Sequence, residues 1–169
     1  ILMEYTEKEK RTNKSESLSS KPRFVESASR LLLDSCNSVS NSYISIFEVK
    51  KHPKISVTDY LERFVVHSEM EESTILVALI LIDRLTKMTK IKLNMSNIHR
   101  ILVTMLVIAI KTNEDIIYTN LEYAMIGGIS SSLLNELEMN ALVMLDWQVH
   151  VDIQEYLLYK DLLQVNFFR

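Results

Sequence analysis

Between Arg100 and Lys111 the chain runs for ten residues, Ile101 to Ile110 (ILVTMLVIAI), without a charge. A helix built from that run is apolar all the way round, and such a helix has to be enclosed by neighbouring elements or by lipid. A bilayer needs about 20 such residues, so enclosure by other helices is expected. A second run, Ile75 to Ile82, has the same character and stops abruptly at Asp83 and Arg84. Together they predict two hairpinned helices at the hub of a single all-α domain.

Composition supports that class. The 169 residues are 47% apolar and 24% charged, with only two glycines and two prolines, too few for the turns that β or α/β folds need. The net charge of -3 offers no basic footprint for nucleic acid, so proteins are the expected partners. Cys36 stands alone, with no CxxC, which rules out an intrachain disulfide and a thiolate metal site and fits a reducing intracellular setting, nucleus or cytoplasm. No signal-peptide pattern and no apolar run of 18 residues is present, so no membrane association is expected. Because the chain opens on Ile1, a longer native N-terminus is expected to precede it.

Taken in order, residues 1–21 read as a charged, Ser-rich tail with little to bury. Residues 22–55 read as an N-terminal helix followed by a linker. Phe24, Val25, Ala28, Leu31, Leu32 and Leu33 recur at helical spacing after Pro22, and Ile46 with Phe47 is the linker's anchor. Ser56 with Asp59 predicts a capped helix start, and that helix runs to about Ser68. Glu71 and Glu72 place negative charge at the start of the next helix, which ends near Met88. Ser96 is the expected cap of the central helix, Asn120 that of a short helix stopped by Gly127 and Gly128, and Ser130 that of a helix ending near Trp147. Asp152 with Glu155 opens a C-terminal helix within residues 148–169.

Signatures of bond-making chemistry are missing: no phosphate-binding glycine loop, no HExxH and no GxSxG occurs. His52, His67, His99 and His150 lie on different segments without i, i+4 pairing and read as surface or loop residues, not metal ligands. Glu69, Glu71 and Glu72 read as a solvated helix start. The methionines, including Met88, Met95, Met105, Met125, Met139 and Met144, read as core filler. No cofactor is expected.

One ordered set of phrases goes further. ALILIDRL (Ala78 to Leu85), the central helix ending in AIK (Ala109 to Lys111), EDIIYTN (Glu114 to Asn120), YAMIGGIS (Tyr123 to Ser130) and LNELEMNALVMLDWQV (Leu134 to Val149) follow one another here as they do in cyclins. With YLERF (Tyr60 to Phe64) after ISVTD and the double glycine before Ile129, the chain resembles the P-type, phosphate-regulation-like cyclins, also called U-type. The resemblance implies one cyclin box over residues 56–147, five helices with the third central, plus flanking helices at both ends. It implies a non-catalytic regulatory subunit that binds a cyclin-dependent kinase and positions the kinase's mobile helix. An adaptor role for a cyclin-like box, in transcription or scaffolding, is the alternative.

By position, Lys111 and Glu138 match the lysine and glutamate that cyclins present to the kinase. Asp83 is expected in a structural ion pair inside the box, with Arg63 as its candidate mate. After Lys111 the family has an aromatic and acidic residues where this chain has Thr112, Asn113, Glu114 and Asp115. The MRxIL substrate-docking patch of cell-cycle cyclins is missing from the first box helix.

Overall fold

The computed structural model describes residues 23–36 and 45–167, with side chains as far as residue 163. Among the described residues there are helices and no strands: α1 over 23–34, α2 Val57–Ser68, α3 Glu72–Met88, α4 Ile98–Asn113, α5 Asn120–Gly127, α6 Ser131–Met144 and α7 Ile153–Phe167. The tail expected over residues 1–21 lies outside the described residues.

Every residue from Ile101 to Ile110 is buried, and α4 runs between α3, α2 and α6. The all-round apolar run is therefore sheathed by helices, as its pattern requires. Each large apolar side chain so enclosed contributes about 1.5–3 kcal/mol, which makes α4 the centre of the core. The one polar member, Thr104, donates from Oγ1 to the Arg100 carbonyl at 2.6 Å, within its own helix. The α3 run Thr74 to Ile82 is buried throughout and packs along α4. Around this pair α1 contributes Val25, Ala28 and Leu32, and the linker contributes Phe47. Arg100 Nη1 donates to the carbonyls of Ile46 and Glu48 at 2.8 and 3.1 Å, which holds the linker across the start of α4.

The two glycines do different work. A Cβ on Gly127 would stand 2.9 Å from Val103 Cγ2 and 3.2 Å from the Tyr60 hydroxyl, so only hydrogen lets α5 come this close to α4 and α2. The Tyr60 hydroxyl donates to the Gly127 carbonyl at 2.8 Å across that approach. Gly128 closes α5 in the left-handed region, φ 67°, where a side chain is strained.

Helix starts show which sequence signals hold. Ser56 and Ser130 accept from the backbone N–H groups of Asp59 and Leu133, and Asp152 accepts from Gln154 and Glu155. Two expected caps are displaced. Ser96 belongs to the preceding loop, with its N–H bonded to Asn94 Oδ1 and its carbonyl accepting from Val49; α4 begins after Asn97. Thr119, not Asn120, caps α5, in a reciprocal box with Glu122, whose carboxyl is held below its ordinary value by the Thr119 N–H and hydroxyl. At the far end of the chain α6 stops at Met144, short of Trp147. Asp146 and Trp147 then turn the chain through two successive left-handed residues, φ 49° and 60°.

Long-range polar contacts join the helices. The start of α3 has no side-chain cap of its own; Glu114, just past α4, accepts the Glu71 N–H at 2.9 Å and the hydroxyl of buried Thr74. Arg84 bonds Glu155 at 2.7 Å and the carbonyls of Gln148 and His150, which fastens the α6–α7 connection and α7 to α3.

Candidate functional site

Lys111 ends the buried part of α4, and Glu138 lies in the middle of α6. The packing of α6 on α4 brings them together: Lys111 Nζ donates to Glu138 Oε1 at 2.7 Å and Oε2 at 2.9 Å. The two residues expected to act together thus form one bidentate ion pair at the rim of the core. Its side chains are 31% and 14% exposed, so the carboxylate is largely enclosed and the ammonium faces outward.

A third helix joins them. Asn120, the first residue of α5, donates from Nδ2 to Glu138 Oε2 at 2.8 Å and to Asn135 Oδ1 at 2.6 Å. Asn120 was legible only as a cap, and Asn135 carried no signal at all; nothing local announces a contact between residues 18 positions apart.

Large apolar side chains lie open on the segments that carry these groups. Ile116 and Ile117 follow Lys111 in the connector, Leu121 and Met125 lie on α5, and Met139, Val143 and Trp147 lie on or just beyond α6, all more than half exposed. The expectation of methionine as core filler is corrected here. Met105 is buried and Met144 partly so, but Met88, Met95, Met125 and Met139 are exposed, because each occupies a loop or the outward side of its helix.

The expected Asp83–Arg63 pair is not formed. Asp83 instead takes Lys87, one turn on in α3, at 2.6 Å, and the Tyr159 hydroxyl of α7. Burial and the Asp83 carboxylate push the Tyr159 phenol up, in that order. Arg63 points elsewhere: its guanidinium lies 5.0 Å from the centre of the Tyr60 ring, near the α5 terminus at Gly128. Burial pushes the Tyr60 phenol up to about 12 against the pull of that cation. The physical reason is helix placement: α3 packs on α7, which supplies Tyr159, while α2 packs on α5 and turns Arg63 toward it.

His99 also departs from expectation. It is buried at the start of α4, edge-on to Tyr60 at 5.2 Å, and its Nε2–H donates to the Ile55 carbonyl at 3.1 Å. Burial holds it below its ordinary value. Among the described residues no three His, Cys, Asp or Glu side chains gather as a metal site would need, and no helix is long and apolar enough to cross a membrane.

The family model of the cyclins matches residues 4–149. The chain belongs to the cyclin family. Among curated proteins it is similar to Cyclin-U3-1 of Arabidopsis thaliana, 34% identical over 127 residues that cover 75% of this chain and 55% of that one. Cyclin-P3-1 of Oryza sativa subsp. japonica is 34% identical over 125 residues, 74% of this chain and 52% of that one. Cyclin-U4-1 of Arabidopsis thaliana is 33% identical over 122 residues, 72% and 60%. The cyclin chain thus spans about half the length of the curated relatives it matches. Both the all-α cyclin-box fold and the likeness to P-type and U-type cyclins expected from the sequence are borne out. Membership supports a cyclin regulatory role.

Proposed function

We propose that this cyclin binds and activates a cyclin-dependent kinase, using the face on which the end of α4, the start of α5 and the middle of α6 converge. The observation that carries the proposal is the Lys111–Glu138 pair, held at the rim of the core by helices that belong to a cyclin box. The ammonium spends two N–H groups on the carboxylate, which leaves a third for a carbonyl at the end of a partner helix; Oε1 keeps an accepting position for a backbone N–H. Exposed Ile116, Ile117, Leu121 and Met139 lie beside these residues in the chain and give a partner apolar surface to cover. Thr112 stands where the family has an aromatic after Lys111, so that one apolar contact is not available here.

The cyclin makes and breaks no covalent bonds in this mechanism. By binding better to the kinase conformation in which the mobile helix is turned inward, it raises that conformation's population, to the limit set by the difference in affinity. Turned inward, the helix glutamate meets the lysine that anchors the nucleotide, and phosphoryl transfer can proceed. Lys111→Ala with Glu138→Ala is expected to leave the fold intact, since both groups sit at the rim, and to abolish capture of a kinase that the unaltered chain retains from its native cell. Equal capture by both proteins refutes this site.

A further inference from the structure

We propose that Asn120 is the positioning residue of this interface: its amide holds the Glu138 carboxylate in the orientation in which Lys111 and a kinase backbone can both use it. The inference rests on the reading of the Lys111–Glu138 face as the kinase-binding site, and adds a residue that cyclin membership does not assign.

Three observations meet at Asn120. First, the residue is not needed where it stands in the helix. Two of the free amides at the start of α5, those of Thr119 and Glu122, are served by the reciprocal box without Asn120, and asparagine is a weak helix former within the first turn. Secondly, both amide hydrogens leave the helix for α6, one to Glu138 Oε2 and one to Asn135 Oδ1. The opposite setting of the amide would bring its oxygen against a carboxylate and a second amide oxygen, so the chemistry permits one orientation only. Thirdly, that orientation leaves Asn120 Oδ1 buried with no hydrogen-bond partner. A side chain that gives up its own acceptor to donate twice is placed for its donors.

The consequence follows from the carboxylate's geometry. Lys111 approaches from α4 and Asn120 from α5, so Glu138 is braced on two sides and the plane of its carboxyl group is set. Without Asn120 the carboxylate keeps its salt bridge and gains freedom to rotate with the Lys111 side chain, and a partner must then order the pair as it binds.

Substitution by Asp is the sharper perturbation. An aspartate at the first helical position gains from the helix N-terminus, but it turns two donors into acceptors beside Glu138 and Asn135. Positioning therefore predicts a loss of binding in a protein that still folds. The experiment measures kinase affinity and thermal midpoint for the unaltered chain, Asn120→Ala, Asn120→Asp, Glu138→Ala, and Asn120→Ala combined with Glu138→Ala. We expect thermal midpoints lowered by a few degrees, since the bonds lost lie within the chain, and, at a temperature where every variant is folded, affinity about ten-fold weaker for Asn120→Ala, the scale of one charge-assisted hydrogen bond, and weaker still for Asn120→Asp. In the Glu138→Ala background, Asn120→Ala is expected to change nothing further. Affinity that survives Asn120→Asp, or an equal loss from Asn120→Ala with and without Glu138, overturns the positioning role while the kinase site stands. No loss on Glu138→Ala, or no binding by the unaltered chain to any of a panel of cyclin-dependent kinases, removes the site and the Asn120 role with it.

Discussion

Gly127→Ala tests the packing that brings α5 into place. The added methyl would stand 2.9 Å from Val103 Cγ2 and 3.2 Å from the Tyr60 hydroxyl, well inside ordinary contact. Val103 cannot give way cheaply, because it is fully buried and branched at Cβ on the central helix. Overpacking of this kind costs about 1–3 kcal/mol. Replacing glycine in a helix returns up to about 1 kcal/mol, and less at the last position of α5. The net loss is therefore about 1–2 kcal/mol, or a fall in thermal midpoint of roughly 2–8 °C for a chain of this size. The assay is urea unfolding of four proteins: unaltered, Gly127→Ala, Val103→Ala and both together. Removing Cγ2 makes room for the methyl, so Gly127→Ala should cost less than about 0.5 kcal/mol in the Val103→Ala background, a coupling of about 1 kcal/mol. Gly128→Ala is the control. Its cost of about 1–2 kcal/mol comes from the left-handed backbone, its Cβ would meet nothing nearer than Arg63 Nη2 at 3.6 Å, and Val103→Ala should not relieve it. A Gly127→Ala protein as stable as the original, or one whose loss is the same in both backgrounds, refutes the close-approach argument.

His99 should make stability depend on pH. Its folded-state value lies below the ordinary 6.5, so as pH falls through about 6.5 the unfolded chain takes up a proton first and stability drops, by at most about 1.4 kcal/mol per pH unit; His99→Gln should flatten that slope in urea unfolding between pH 7.5 and 5.5. Arg84→Ala removes an ion pair and two carbonyl contacts from the α7 attachment, with an expected cost of about 2–3 kcal/mol and faster amide exchange over residues 148–163; unchanged exchange there would show that α7 holds by apolar packing alone. Glu114→Ala takes the acceptor from the hydroxyl of fully buried Thr74 and leaves the Glu71 N–H, at the exposed start of α3, to water; it should lower urea stability by about 1–3 kcal/mol, with Glu114→Gln recovering part of the loss.

Much of this cyclin could be read from its chain because the signals were local. An uncharged stretch as long as Ile101 to Ile110 has no stable place except inside, and Ser56 with Asp59 writes a helix start within four residues. Where two good caps are neighbours, the pattern is ambiguous: Thr119 and Asn120 both qualify, and what decides is that Glu122 lies three residues after Thr119. Contacts between distant segments were not legible. Asp83 faces Tyr159, 76 positions away, and Glu114 serves Thr74, 40 positions back; such pairings follow from helix packing, which no spacing rule within a segment encodes. The methionines and His99 depart from expectation for one reason: residue type gives a tendency to be inside or outside, whereas the place in the fold, a loop or one side of a helix, decides.

The reversal at Asp146 and Trp147 has a practical use. It leaves the indole of Trp147 60% exposed just past α6, and the chain has no other tryptophan. Fluorescence excited at the indole band therefore reports on a single spot, nine positions after Glu138, without any attached dye. A partner free of tryptophan, seated against α6, would shift that emission to the blue as water leaves the ring, so the cyclin carries its own optical titration for such a partner arriving at this end of the helix.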